Sequence, residues 1–174
     1  FRLQPRMNTR TAIPPAPAAE TRSDAPWLVL TAAFLGWMFD GLEMGIFPVV
    51  ARPALQELLG TTADTMVGPW MGYITALFLL GAAGGGLVFG WLGDKVGRVR
   101  AMTASILTYS LFTGACYLAT AAWQLGALRF VAALGMGGEW SLGVALVMEC
   151  WPESKRSLMA GVIGAAGNLG YALI

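Results

Sequence analysis

Histidine is absent from this 174-residue chain, cysteine occurs only twice, and charged residues make up just 12% of it. Each shortage excludes something. Without histidine, histidine-based catalysis and most zinc sites are ruled out within this stretch. Cys116 and Cys150 show no metal-ligand spacing and fall in or beside apolar runs, so they read as small packing residues. A soluble domain is about one-quarter charged. Here the charge is far scarcer and hydrophobic residues reach 56%, so the surface must face lipid. The net charge of +1 comes without a dense basic cluster, which argues against a nucleic-acid partner. No nucleophile–base pair or metal-ligand cluster can be assembled, so the chain does not read as an enzyme and calls for no metal or cofactor.

What is present is apolar length. Residues 70–92 and 101–121 contain no Asp, Glu, Lys or Arg, and each is long enough to cross a bilayer as a helix. Five apolar segments stand out, at about 27–50, 69–92, 101–121, 124–149 and 158–174. Lipid offers no hydrogen-bond partner to an open backbone, so these spans are expected to be helical and the fold an all-α integral membrane bundle. Residues 1–26, with Pro14, Pro15, Pro17 and Pro26, read as a disordered cytoplasmic tail. Phe1 is not an initiator, so the expected start is Met7, or the sequence begins inside a reading frame. The last segment stops without a flank, so the chain is expected to end inside a helix.

Lysine and arginine set the expected orientation. Arg2, Arg6, Arg10 and Arg22 in the tail, Lys95, Arg98 and Arg100 in the second loop, and Lys155 and Arg156 in the fourth share one side, against Arg52 alone on the other. That asymmetry puts the N-terminus in the cytoplasm, with the plasma (inner) membrane as the expected location. Trp27, Trp70, Trp91, Trp123 and Trp151 mark span ends, where an amphipathic ring prefers the interface. Trp37 and Trp140 instead lie deep, each close to a carboxylate. Glycine concentrates in the second, fourth and fifth spans, as in Gly81, Gly84, Gly85 and Gly86, Gly135, Gly137 and Gly138, and Gly161, Gly164, Gly167 and Gly170. Such small-residue faces allow close helix approach. They fit static packing, and they also fit helices that rock.

Four charges fall inside spans: Asp40, Glu43, Arg129 and Glu139. A charge near the bilayer centre costs about 2.5–3.5 kcal/mol, so four left unpaired would cost on the order of 10 kcal/mol. They must face a bundle interior or a wet cavity. Asp40 and Glu43, three residues apart, project from one helix face. Two carboxylates that close resist ionising together, which lets one carry a proton near neutral pH. Arg129 and Glu139 are ten residues apart, about 15 Å along a helix, and cannot pair directly. Each needs a partner elsewhere, and Asp40 or Glu43 is the natural candidate. Arg129 fits an anionic solute or a packing ion pair. Glu139 fits proton coupling, a polar solute contact, or a protonated acid bonded to a carbonyl. Glu43 also fits a solvated position near the outer interface.

The run Gly90-Trp91-Leu92-Gly93-Asp94-Lys95-Val96-Gly97-Arg98-Val99-Arg100 joins two spans. It resembles the signature loop between the second and third helices of the major facilitator superfamily, a family of secondary transporters. The match holds at Gly90, Asp94, Lys95, Gly97, Arg98 and Arg100, while Val99 stands where a second basic residue is common. Glu149, Pro152 and Arg156 resemble the family's Glu…Pro…Arg ending of the fourth helix. Asp40-Gly41-Leu42-Glu43 is similar to the Asp-Gly-aromatic-Asp pattern of proton-coupled organic-acid and sialic-acid carriers, departing from it at Leu42 and Glu43. Arg129-Phe130 followed by Gly135-Met136-Gly137-Gly138-Glu139 is similar to a run in metabolite, sugar and sialate symporters, with Ala133 replacing a frequent glycine.

The resemblance implies a twelve-helix carrier, of which this chain would be the N-terminal part: four spans and most of a fifth, partnered by a C-terminal half. It implies that Asp94, Arg98, Glu149 and Arg156 form a charge latch at the cytoplasmic face, and that the loop residues gate rather than bind. Asp40, Glu43, Arg129 and Glu139 become the candidate solute and proton site, with Trp37 and Trp140 placed to stack on a ring or sugar face. The expected function is alternating-access transport of a small organic solute, a carboxylate or sugar-like metabolite, in symport with protons. An uncoupled facilitator and a small non-transporting membrane assembly protein stay open as alternatives. The fifth segment lacks the Gly-Pro-x-x-Gly-Gly type sequence of drug–proton antiporters, which argues against drug export.

Overall fold

The computed structural model describes residues 25–174, and these form five helices without a strand among the described residues. Helix α1 covers Ala25–Leu59, α2 Asp64–Val96, α3 Arg98–Ala115, α4 Ala122–Cys150 and α5 Glu153–Ala172; α3 tightens into one 3₁₀ turn at Cys116–Leu118. The tail expected over residues 1–26, with its four arginines, lies outside the described residues up to position 24. Ala25 and Pro26 already belong to α1, where proline in a first turn lacks only an N–H that has no helical partner anyway.

Two helices outrun the apolar segments seen in the sequence. α1 continues nine residues past position 50, through Pro48 and Pro53. Each proline deletes one backbone hydrogen bond. Burial offsets the loss: Leu55 is fully buried in a cluster with Val67, Ile74, Ala122 and Leu125 that closes one end of the bundle. α2 starts at Asp64 rather than near 69, with an acidic residue in its first turn and Arg52 reaching Asp64 at 2.6 Å. Among the described residues α1, α2, α3 and α4 are long and apolar enough to cross a membrane. The fifth helix does not join that set, since its first turns carry Glu153, Lys155 and Arg156.

α4 is the hub. It packs on α2 through glycines that bring the two backbones together: a Cβ on Gly85 would strike the Leu134 carbonyl, and one on Gly137 the Ala82 carbonyl. On another side Gly135 faces Ser105 and Tyr109 of α3, and the Ser105 hydroxyl donates to the Gly135 carbonyl at 2.5 Å. α5 leans on α1 in the same close manner, with Gly41 against the Gly167 carbonyl and Gly170 against the Met38 carbonyl. Not every glycine serves this purpose. Nothing lies within 4 Å of a Cβ on Gly161 or Gly164. The seam between α1 and α4 is different again, because side chains rather than backbones bridge it.

Candidate functional site

Asp40, Arg129 and Glu139 are 1%, 4% and 2% exposed, the burial that their depth in the spans requires. The Arg129 guanidinium pairs with the Glu43 carboxylate across the α1–α4 seam. It also lies over the Phe47 ring at 4.0 Å and the Phe78 ring at 5.0 Å, so two π faces help hold a charge removed from water. The pairing predicted between α4 and α1 is therefore Arg129 with Glu43. Asp40 takes a different partner: the Trp140 indole N–H donates to its Oδ2 at 2.8 Å. Glu139 rests its carboxyl against Gly36 of α1, a place where any Cβ would collide with it.

These groups converge on a cavity of about 1000 Å³ between α1 and α3, with α4 forming its floor. Asp40, Glu43, Arg129 and Glu139 all line it, joined from α3 by Tyr109 and Thr113. Most of the remaining wall is aliphatic or aromatic. Asp40 Oδ1, Glu43 Oε2, Arg129 Nε and Thr113 Oγ1 are buried with no protein hydrogen-bond partner. Buried polar groups are ordinarily satisfied. The four residues that carry these atoms all line the cavity, which gives its wall the polar groups a small polar or charged guest needs.

Trp37 and Trp140, expected from the sequence to stack on a ring or sugar face, lie beside each other. Their rings sit 6.1 Å apart and tilted at 50° to each other, and neither lines the cavity. The buried Trp140 indole N–H finds its acceptor in Asp40, whereas that of Trp37 has no protein partner. Tyr109 and Thr113 line the cavity too, and charge alone does not single them out. A signal for them exists, since hydroxyls at positions 109 and 113, followed by Cys116, recur at helical spacing along one face of an uncharged span.

At the opposite end of the bundle from the Leu55 cluster, the loop residues assemble as a group. Gly97 adopts φ +96°, which lets α2 turn into α3 within one residue. Asp94 pairs with Arg98 at 2.6 Å, and Arg98 Nε donates to Glu149 of α4 at 3.1 Å. Arg156 is not part of this group. Its Nε donates at 3.1 Å to the Trp151 carbonyl, one of the acceptors left open where α4 ends, so three of the four charges expected to form a latch come together. Lys95 lies 4.1 Å over the Trp91 ring, and Arg100 is exposed. A Cβ on Gly90 would come no nearer to α4 than 3.9 Å from the Ser141 hydroxyl.

Long apolar helices wrapped around buried, partnered charges define a polytopic membrane protein. The family follows from comparison: residues 27–174 match the model of the Major Facilitator Superfamily, and the chain belongs to it. A protein of Haemophilus influenzae whose name describes metabolite transport is 36% identical over 151 residues, 85% of this chain and 36% of the relative. The niacin transporter of Acinetobacter baylyi is 32% identical over 83% of this chain and 32% of its own length. The sialic acid transporter of Escherichia coli is 33% identical over 81% of this chain and 33% of its own. The chain thus spans about a third of the curated relatives it matches. No solved structure matches it significantly. Its named relatives are transporters, and the family is one of transporters rather than enzymes.

Proposed function

We propose that this chain belongs to a secondary carrier that moves a small organic solute across a membrane by alternating access, in symport with protons. The observation that carries this reading is the buried Arg129–Glu43 pair, set on one cavity with Asp40 and Glu139. Charges at this depth are costly and mark pathways for ions or solutes. Three carboxylates share the cavity with one guanidinium, so the fully ionised cluster carries an excess of negative charge that protons would relieve.

The pairing also supplies a coupling logic. Arg129 is committed to Glu43, so an anionic solute competes with that carboxylate for the guanidinium. To reach the guanidinium the solute must displace Glu43 from it. Asp40, with one oxygen unpartnered, takes the coupling role. Niacin and sialic acid, carried by the relatives named above, and gentisate, carried by a transporter of Corynebacterium glutamicum that is 31% identical, are all carboxylates. A small carboxylate is accordingly the proposed solute class. In a carrier of the relatives' length, helices outside this chain would form the rest of the path. The Asp94–Arg98–Glu149 group is assigned to the cytoplasmic side, on the basic asymmetry of the loops.

The experiment is uptake of radiolabelled niacin, sialic acid and gentisate by cells expressing the whole carrier, with and without a protonophore. Asp40→Asn is expected to abolish proton-driven accumulation while sparing solute exchange down a gradient. Unchanged uphill uptake in that variant would refute the coupling role.

A further inference from the structure

α4 hands α1 two different partners for two neighbouring carboxylates. Asp40 and Glu43 stand only about 4.5 Å apart along α1, whereas Arg129 and Trp140 are about 16.5 Å apart along α4. Eleven residues return to within about 20° of the same helix face, so both side chains project toward α1. The helices run antiparallel, with Trp140 level with Asp40 and Arg129 reaching Glu43 from further along. Only two long side chains can close that mismatch in spacing.

The contact made by Trp140 is asymmetric. Its indole N–H holds Oδ2 of Asp40 at 2.8 Å, while Oδ1 is buried with no protein partner. Asp40 lines the cavity and Trp140 does not. We propose that Trp140 is a positioning residue for Asp40: it fixes Oδ2 as a permanent acceptor and leaves Oδ1 as the oxygen that binds and releases the coupling proton. This rests on the reading of Asp40 as a proton acceptor. An indole suits the task because it only donates, does not titrate, and so cannot take the proton itself. The Trp37 ring, 6.1 Å away, packs beside the Trp140 ring and limits its freedom to turn. The step balances simply, one proton joining Oδ1 and the same proton leaving it, with the Trp140 bond to Oδ2 kept throughout.

The test is infrared difference spectroscopy of the whole carrier in lipid, between acidic and alkaline pH, which needs no solute. Loss of a band in Asp40→Asn identifies the C=O stretch of protonated Asp40. Trp140→Phe is expected to move that band to higher frequency, because the carbonyl loses its donor. Trp140→Tyr, which offers an O–H, is expected to bring it part of the way back. A band unmoved by Trp140→Phe overturns the positioning role and leaves the coupling reading standing. If Asp40→Asn removes no band, Asp40 takes no proton and both ideas fall. Should Trp140→Phe not fold, the indole nitrogen resonance of Trp140 in the unaltered carrier decides. It must shift in Asp40→Asn, and a resonance that stays put overturns the proposal.

Discussion

Replacing Arg129 by Met strands the Glu43 carboxylate in a seam where its guanidinium used to be. Breaking a buried ion pair from one side costs about 3–5 kcal/mol, since a lone charge is left out of water. The stranded group has an escape: it can take a proton. Protonating an ordinary glutamate at pH 7 costs about 3.7 kcal/mol, from a reference near 4.3 and 1.36 kcal/mol per unit. That sets a ceiling on the electrostatic penalty, and it falls with pH. At pH 5 the same protonation costs only about 1 kcal/mol. Arg129→Met is therefore expected to be strongly destabilised at pH 7 and much less so at pH 5. Glu43→Gln with Arg129→Met should restore most of the loss at pH 7, because no charge is then stranded. The assay is thermal or denaturant unfolding of the purified carrier in detergent at both pH values. A single-variant deficit that does not change with pH, or a double variant no better than the single, would refute the reasoning.

Three further substitutions separate backbone packing from surface charge. Gly85→Val places a side chain where the Leu134 carbonyl already lies, and such overpacking costs about 1–3 kcal/mol, whereas Gly161→Ala, exposed and with open space around it, should raise stability by about 0.5–1 kcal/mol in the same unfolding assay, because alanine is the better helix former. Arg98→Ala removes both the Asp94 and Glu149 contacts, yet their carboxylates are 65% and 55% exposed, so stability should fall by no more than about 1 kcal/mol per pair and unfolding midpoints should move little. Under the gating reading its larger effect would be on transport rate, measured as exchange velocity in proteoliposomes.

Charge is the legible part of this sequence, and contact is not. Asp40, Glu43, Arg129 and Glu139 stand out because lipid makes any charge costly, so a scan of apolar spans finds them without a structure. Periodicity places Asp40 and Glu43 on one face of α1 but does not say which carboxylate Arg129 meets. That depends on how α1 and α4 are offset, and no single-helix pattern encodes the offset. Glycine counts mislead in the same way. Gly161 and Gly164 belong to a glycine-rich segment yet touch nothing, while Gly36, Gly41 and Gly45 of α1, outside the glycine-rich spans, each face a close neighbour. The end of α1 is hidden because Pro48, Arg52 and Pro53 read locally as a stop, and the burial of Leu55 that overrides them is a long-range fact. Tyr109 and Thr113 escape a scan of this kind because hydroxyls cost less in a span than charges and so stand out less.

The division of contacts among the helices bears on where motion would be least costly. The α2–α4 and α1–α5 pairs are held by glycines that leave no gap between backbones, so either pair moves as a unit or loses close packing along its length. The α1–α4 seam has no such backbone lock. It is closed by Arg129 on Glu43, Trp140 on Asp40 and Glu139 against Gly36, side chains that swing through several ångströms without moving a helix axis. All three contacts involve carboxylates, whose strength changes with protonation. The seam closed by side chains is thus also one whose attraction a proton can alter, and a displacement of α4 along α1 would strain both α1 carboxylates at once. A carrier driven by protons needs that coincidence. An uncoupled facilitator gains nothing from it, which is the physical ground for preferring the coupled reading.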